Sequence, residues 1–305
     1  MPIKIPDNLP AAAILEQEGV PIMAESRALR QDIRPLDIVI LNLMPEKIKT
    51  ETQLARLLGS TPLQINITFM ATASYQSRNT SKQHLETFYE TFERLQHHKF
   101  DGLIVTGAPV EQMAFEDVAY WPELRHIFDW AQHNTFSSLF ICWGAQAALY
   151  HYHNIPKHAL PQKRFGIYEH QRAPGRTALM RGLSDTLPMP VSRHTETRAE
   201  DLPVGVYPLL TSEEAGLGML HEPKARRVYI FNHLEYDHDT LSQEYLRDKQ
   251  TGKAIHVPAN YYPQDQVDER PSQSWRSHAH LLFSNWINSI YQDTPYNLNQ
   301  LGSDL

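Results

Sequence analysis

The chain has 305 residues, 41 % of them hydrophobic and 21 % charged, with a formal net charge of −7; this length holds one large α/β core or two modest domains. An acidic balance with no long Lys/Arg run excludes nucleic acid or an anionic membrane as the main partner, and no stretch is apolar for long enough to span a bilayer. One cysteine in the chain excludes an internal disulfide, sixteen histidines without HExxH or CxxC spacing give no expectation of a metal, and the opening Met1-Pro2-Ile3-Lys4-Ile5-Pro6 lacks a signal-peptide core, so a reducing cytoplasm is expected.

In chain order, a proline-punctuated arm with no evident regular structure occupies residues 1–35, and a single α/β domain is expected over 36–305. Leu36 to Met44 reads as a fully buried strand stopped by Pro45, and a helix is predicted from Lys47 to Leu58, closed by Gly59. Leu63 to Met70 alternates as a second strand. Ser81 is placed to cap an amphipathic helix running to Leu95, followed by a third strand from Phe100 into the loop Gly107-Ala108-Pro109-Val110-Glu111. A helix over Trp121–Gln132 precedes the strand Ser138–Ile141, and another follows from Trp143 to Tyr150. The second half is richer in strands, predicted at Lys163–Glu169, Val191–Glu196, Tyr207–Leu210 and Arg227–Phe231. Helices from Thr240 to Asp248 and from Ser274 to Tyr291 close the chain, the last with a buried face of Leu281, Leu282, Trp286 and Ile290. Strands alternating with helices imply a mostly parallel sheet with helices on both faces and ligand groups at the carboxyl ends of the strands, where Gly107 and Cys142 fall.

Cys142, between an apolar strand and a helix, sits at a strand–nucleophile–helix junction. A thiol there has the unpaired first N–H groups of the helix beside it, which favour negative charge and can bind an oxyanion. The ordinary alternative is a buried cysteine acting as a small hydrophobe; the junction and Gly144 favour a nucleophile. A catalytic thiol needs a base and an orienter for that base. His233 and Glu235, two apart after the last strand, are expected on one face of an extended segment, with the carboxylate holding the imidazole tautomer. His194, His221 and His238 are rival bases, and of these only His194 also follows a plausible strand end.

A cysteine elbow with a late His-x-Glu is similar to the class I glutamine amidotransferase fold, although Phe140 replaces the first glycine of that fold's usual Gly-x-Cys-x-Gly. Five signatures in order, Asn42-Leu43-Met44-Pro45-Glu46-Lys47-Ile48-Lys49-Thr50-Glu51, Thr106-Gly107-Ala108-Pro109, Phe140-Ile141-Cys142-Trp143-Gly144-Ala145-Gln146, Lys163-Arg164-Phe165-Gly166 and Ser274-Trp275-Arg276-Ser277-His278, resemble the homoserine O-acyltransferases of methionine biosynthesis. The resemblance covers nearly the whole chain. It implies a class I glutamine amidotransferase-like (flavodoxin-like) fold, a homodimer, and transfer of an acyl group from acyl-CoA to homoserine through a thioester, with acyl-CoA as co-substrate and no permanent cofactor.

The resemblance also assigns roles. Cys142 matches the nucleophile, His233 the general base and Glu235 its orienter, while Lys163, Ser192 and Arg247 match substrate-contacting positions. Arg247 suits the α-carboxylate, which a guanidinium grips with two hydrogen bonds. Asn232 and Leu234 stand where the family often has Gly or Ser and Pro. Lys47 contacts an anionic substrate or the oxyanion region, or is a solvated lysine at a helix start. The oxyanion donors are expected to be the backbone N–H groups of Trp143 and of the Gly107-Ala108 turn. Glu111 lies where acetyl- and succinyl-using members differ; if it faces the acyl pocket rather than solvent, it repels a succinyl carboxylate, so acetyl-CoA is the expected donor. Succinyl-CoA is the near alternative, and a glutamine amidotransferase or a thiol-bearing sensor the more distant ones.

Overall fold

The computed structural model describes residues 3–6, 8–17, 22–25, 34–74, 80–175 and 177–301. The N-terminal segment is not an irregular arm where it is described. It supplies strand β1 (Ile3–Ile5), helix α1 (Ala11–Gln17) and strand β2 (Ile22–Ala24), and β1 pairs in parallel with both β2 and the later strand of Ile65–Ala71. Residues 26–33, also assigned to the arm, lie outside the described residues.

Next come β3 (Leu36–Leu41), α2 (Lys47–Leu58) and β4 (Ile65–Ala71). Along β3 the side chains divide in strict alternation: Ile38 and Ile40 join one apolar core, Val39 and Leu41 another on the opposite face. A strand buried on both faces gives the continuous apolar run seen in its sequence. Leu54, Leu57 and Leu58 of α2 cover the first face, and α5 and α6, introduced below, cover the second.

The helix expected from Ser81 to Leu95 is interrupted. It resolves into α3 (Lys82–Phe88), a short strand β5 (Tyr89–Thr91) and α4 (Phe92–Leu95). Ser81 caps α3 as expected, accepting from the His84 N–H at 3.2 Å. Tertiary bonding decides the break: the Tyr89 hydroxyl donates to buried Glu51 at 2.6 Å and accepts from Asn42 at 2.9 Å, while β5 pairs with β4.

Then follow β6 (Phe100–Val105), α5 (Trp121–Asn134), β7 (Thr135–Ile141), α6 (Trp143–His153), β8 (His158–Arg172), β9 (Thr186–Glu196), β10 (Tyr207–Ser212), β11 (Gly216–Glu222), β12 (Arg227–Ile230), α7 (Thr240–Gln250) and α8 (Arg276–Asp293). Strand β11 was not anticipated, because Gly216 and Gly218 weaken its pattern. Within α8, Leu282, Trp286 and Ile290 are fully buried and Leu281 partly so.

Among the described residues one sheet runs β2-β1-β4-β3-β6-β7-β12-β11-β10-β8-β9, with β5 beside β4. It is parallel from β2 to β12 and antiparallel beyond. The mostly parallel sheet with helices on both faces is therefore present, extended by an antiparallel lobe. No helix among the described residues is long and apolar enough to cross a membrane.

Candidate active site

The elbow at Cys142 follows from the strand on one side and an alanine-rich helix on the other. The Cys142 N–H still belongs to the sheet, donating to the Ile230 carbonyl at 2.7 Å. Its own carbonyl already opens the helix, accepting from the N–H groups of Ala145 and Gln146. Meeting both demands forces φ +52° and ψ −118° on a residue with a side chain, a conformation that costs about 1–3 kcal/mol and recurs at nucleophile elbows. Two glycines make room for it. A Cβ on Gly144 would stand 2.6 Å from the Thr106 carbonyl oxygen, and one on Gly107 would stand 3.2 Å from the Cys142 Cβ.

His233 arrives from β12, the strand beside β7. It lies beyond the strand rather than within it: the Tyr236 N–H donates to the His233 carbonyl at 3.3 Å, so the segment turns and is not extended as its spacing implied. The turn still brings the pair together, with Nδ1–H of His233 donating to Oε1 of Glu235 at 2.7 Å. His233 is 3 % exposed and Glu235 9 %, so the pair is shielded from water, and the Tyr236 ring stacks on the imidazole at 4.2 Å. Burial works against a charge on His233. The negative charges of Cys142 and Glu235, with hydrogen bonds to both, prevail and hold its pKa well above the usual imidazole value.

Asn232 and Leu234 leave the turn well anchored. The Asn232 amide accepts from buried Arg193 at 2.6 Å and donates to Nε2 of His170 at 2.9 Å, and the His233 N–H donates to the Pro190 carbonyl. Burial lowers His170 to about 4, so at neutral pH its ring donates through Nδ1 to the Tyr168 carbonyl and accepts at Nε2. Leu234 is buried in the core.

Cys142 and His233 line a cavity of about 350 Å³ whose far wall is charged. Lys163 pairs with Glu244 at 3.2 Å and Asp248 at 3.5 Å. Ser192 donates to Glu244 at 2.6 Å, as does Tyr236 at 2.7 Å. Burial pushes Glu244 toward protonation, but the Lys163 charge and these two hydrogen bonds hold its carboxyl below the usual range. Arg247 lines the cavity too, with its guanidinium turned onto Asp248 at 3.0 Å. Tyr236, Glu244 and Asp248 were missed from the sequence. The spacing of Glu244 and Asp248, four apart on one helix face beside Arg247, was the available signal.

Glu111 is half-buried in the cavity wall, where its Oε2 accepts from the His194 N–H at 2.8 Å and from the Thr195 hydroxyl at 3.4 Å. Of the rival bases His194 lines this cavity, whereas His221 sits in β11 paired with Tyr207 and Val228, and His238 contributes a carbonyl to Tyr261. Ala108 lies in the cavity wall, and Trp143 heads α6. Lys47 is neither solvated nor in this wall. It is 6 % exposed, donates to the Asn42 carbonyl, and its burial lowers its pKa to about 8 against the opposing charge of Glu51. It lines an adjoining groove.

The family model described as homoserine O-succinyltransferase matches residues 2–296. A homoserine O-acetyltransferase of Rhizobium leguminosarum bv. trifolii is 50 % identical, covering all of both chains. Another, from Chelativorans sp., is 52 % identical over all of this chain and 98 % of its own. Among solved structures, a glutamine amidotransferase from Thermotoga maritima superposes with a TM-score of 0.59 at 12 % identity, covering 86 % of this chain and all of that one. A putative GMP synthase subunit from Thermoplasma acidophilum gives 0.55 at 13 % identity, covering 85 % and 96 %. Identities this low speak for the fold alone, which is the class I glutamine amidotransferase-like α/β fold. By its sequence over almost its entire length, the chain belongs to the homoserine O-acyltransferase family.

Proposed function

We propose that this protein is a homoserine O-acetyltransferase that works through a thioester on Cys142. The observation that carries the chemistry is the buried His233–Glu235 pair beside the strained Cys142 elbow; full-length relatives named homoserine O-acetyltransferase support the reaction. His233 takes the proton of the Cys142 thiol, which leaves the charge on sulfur. Thiolate attacks the acetyl-CoA carbonyl, with the N–H groups of Trp143 and Ala108 receiving the oxyanion. Collapse breaks the carbon–sulfur bond to coenzyme A, and His233 protonates that departing thiolate. The acetyl group has now neutralised Cys142, removing a charge that held His233 protonated. The neutral imidazole therefore takes the proton of the homoserine hydroxyl as it attacks the thioester, and release of the ester restores the original ion pair.

The charged wall suits the acceptor. Homoserine carries one ammonium and one carboxylate, and Lys163 and Arg247 stand among Glu244 and Asp248. We assign the carboxylate to Arg247 and Lys163, with Ser192 beside them. Glutamine hydrolysis, the reaction class of the structural neighbours, is tested by incubation with glutamine alone, and ammonia release at a rate comparable to acyl transfer would displace the present reading. We further propose one catalytic domain that takes in the N-terminal strands through their pairing with β4, a cytoplasmic setting that keeps the thiol reduced, and a homodimer as the family resemblance implies; light scattering of a monomer at assay concentration would refute the dimer.

The donor is set by Glu111. A succinyl carboxylate brought to about 4 Å from the Glu111 carboxylate meets a repulsion of roughly 4 kcal/mol at an effective dielectric near 20, less where water enters the cavity. An acetyl group meets none. Assayed side by side with homoserine, acetyl-CoA is expected to outperform succinyl-CoA, and Glu111→Gly to raise succinyl-CoA use by roughly tenfold or more, the equivalent of about 1.4 kcal/mol. A wild type that prefers succinyl-CoA, or a glycine variant with unchanged preference, overturns the charge-exclusion argument.

A further inference from the structure

A second cavity adjoins the one that holds Cys142. Met44, Pro45, Pro109, Val110 and Met113 line both, and the second has a volume of about 510 Å³. This volume is typical of a small-molecule site. The lining changes character across the shared residues. On the Cys142 side stand Lys163, Glu244, Arg247, Asp248 and Lys253; beyond them the groove is walled mainly by Leu43, Ala71, Leu85, Val118, Ala119 and Tyr120, with buried Lys47 and exposed Asp117 as its charged members.

The strand order marks this groove as a ligand crevice. From β3 the chain steps to β4 on one side, then returns to lay β6 on the other. The order of strands reverses there, and in open α/β sheets the crevice beyond the carboxyl ends of the strands at such a reversal is where ligands bind. The groove occupies that crevice: Leu43 to Pro45 follow β3, Ala71 ends β4, and Pro109 and Val110 follow β6.

The geometry points to this groove as the binding site for the pantetheine arm of the acyl-CoA donor. The assignment rests on the acyltransferase reading. Each of the two adjoining cavities fits one reactant. Homoserine is a small zwitterion and needs the charged wall. The pantetheine arm is a long, uncharged chain of methylenes, a gem-dimethyl group and two amides, and it must enter with its thioester at Cys142 and withdraw as a free thiol while the acetyl group stays behind. An apolar groove that meets the thiol's cavity at Met44, Pro109 and Val110, and is lined by none of Lys163, Glu244 and Arg247, permits that exchange without disturbing the acceptor site.

The test separates the arm from the acyl group. Ala119, exposed, and Thr72, half-buried, both line the groove; neither belongs to the reacting machinery. Ala119→Trp and Thr72→Trp are to be compared with wild type for acetylation of Cys142, followed by intact mass, using acetyl-CoA and the truncated thioester S-acetyl-N-acetylcysteamine. Both variants are expected to lose roughly tenfold or more in kcat/KM for acetyl-CoA, carried mainly by KM, and to keep the truncated donor's rate within about twofold. Retention of that rate shows that the variants are folded and chemically competent. Free pantetheine should slow acetylation of wild type by acetyl-CoA and lose that effect in both variants. Equal acetyl-CoA kinetics in variants and wild type, or parallel loss with both donors in either folded variant, overturns the groove assignment while leaving the acyltransferase reading in place. A wild type whose Cys142 accepts acetyl from neither donor refutes that reading and the assignment with it.

Discussion

Cys142→Ala is expected to lower homoserine acetylation on the order of 10⁴–10⁶-fold, the range met when a nucleophile is removed from a nucleophile–base unit. Wild-type protein given acetyl-CoA without homoserine should gain the mass of one acetyl group, held on Cys142 and discharged when homoserine is added. The elbow explains why no other residue takes over. It presents Sγ at the mouth of a helix, next to the His233 ring and over Gly107, where a bulkier floor would crowd the sulfur. Alanine leaves the cavity and the base intact but provides no atom to carry the acetyl group. Turnover by Cys142→Ala at a rate near wild type would show direct transfer from coenzyme A to homoserine and end the thioester mechanism.

His233→Ala should lose about 10²–10⁴-fold, the usual contribution of a positioned base. Glu235→Gln should fall between it and wild type, since the amide can still accept from Nδ1–H but brings no charge to support the imidazolium. His194→Ala should change little by comparison. The protonation state of His233 adds a sharper readout. Its pKa is held high in part by the negative charge on Cys142, so capping the sulfur with iodoacetamide should make the imidazole titrate at lower pH. Below its folded pKa the free enzyme keeps the ring charged, and raising the pH through that value dissolves the ion pair. Nitrogen NMR of the ring before and after alkylation measures the shift. An unchanged or higher titration point after capping, or a dead His194→Ala beside an active His233→Ala, would remove His233 from its assigned role.

The parts of this arrangement that were legible in the sequence are those fixed by short-range rules. Helix α2 has the limits its pattern and Gly59 imply, Lys47 to Leu58, and Cys142 stands at a strand-to-helix switch because an apolar run and an alanine-rich run meet there. What stayed hidden depends on residues distant in the chain. Tyr89–Thr91 left its helix to bond Glu51 and Asn42. The two N-terminal strands are three residues each and are strands only because β4 offers an edge. Glu244 looks like an ordinary surface acid until Lys163 and Ser192, 81 and 52 residues away, are folded onto it. Lys47 reads equally well as solvated or buried, and only the packing of α2 and Tyr89 around it decides. The His233–Glu235 pairing was anticipated from an extended backbone, yet a turn achieves it, so that spacing alone did not determine the local geometry.

Strands β7 and β12 pair in parallel with Ile141 opposite Ile230, and the nucleophile and base follow one and three residues later. Their separation is thus set by main-chain hydrogen bonds in the middle of a sheet. A slip of one residue would turn the strand's side chains to the opposite face. The groups that choose the reactants are attached differently: Glu111 rides on a loop, and Arg247 on a helix outside that ladder. Reactivity and selectivity are consequently separable in this architecture. Substitution in a loop can exchange one acyl donor for another while the inherited spacing of thiol and imidazole is carried along unchanged.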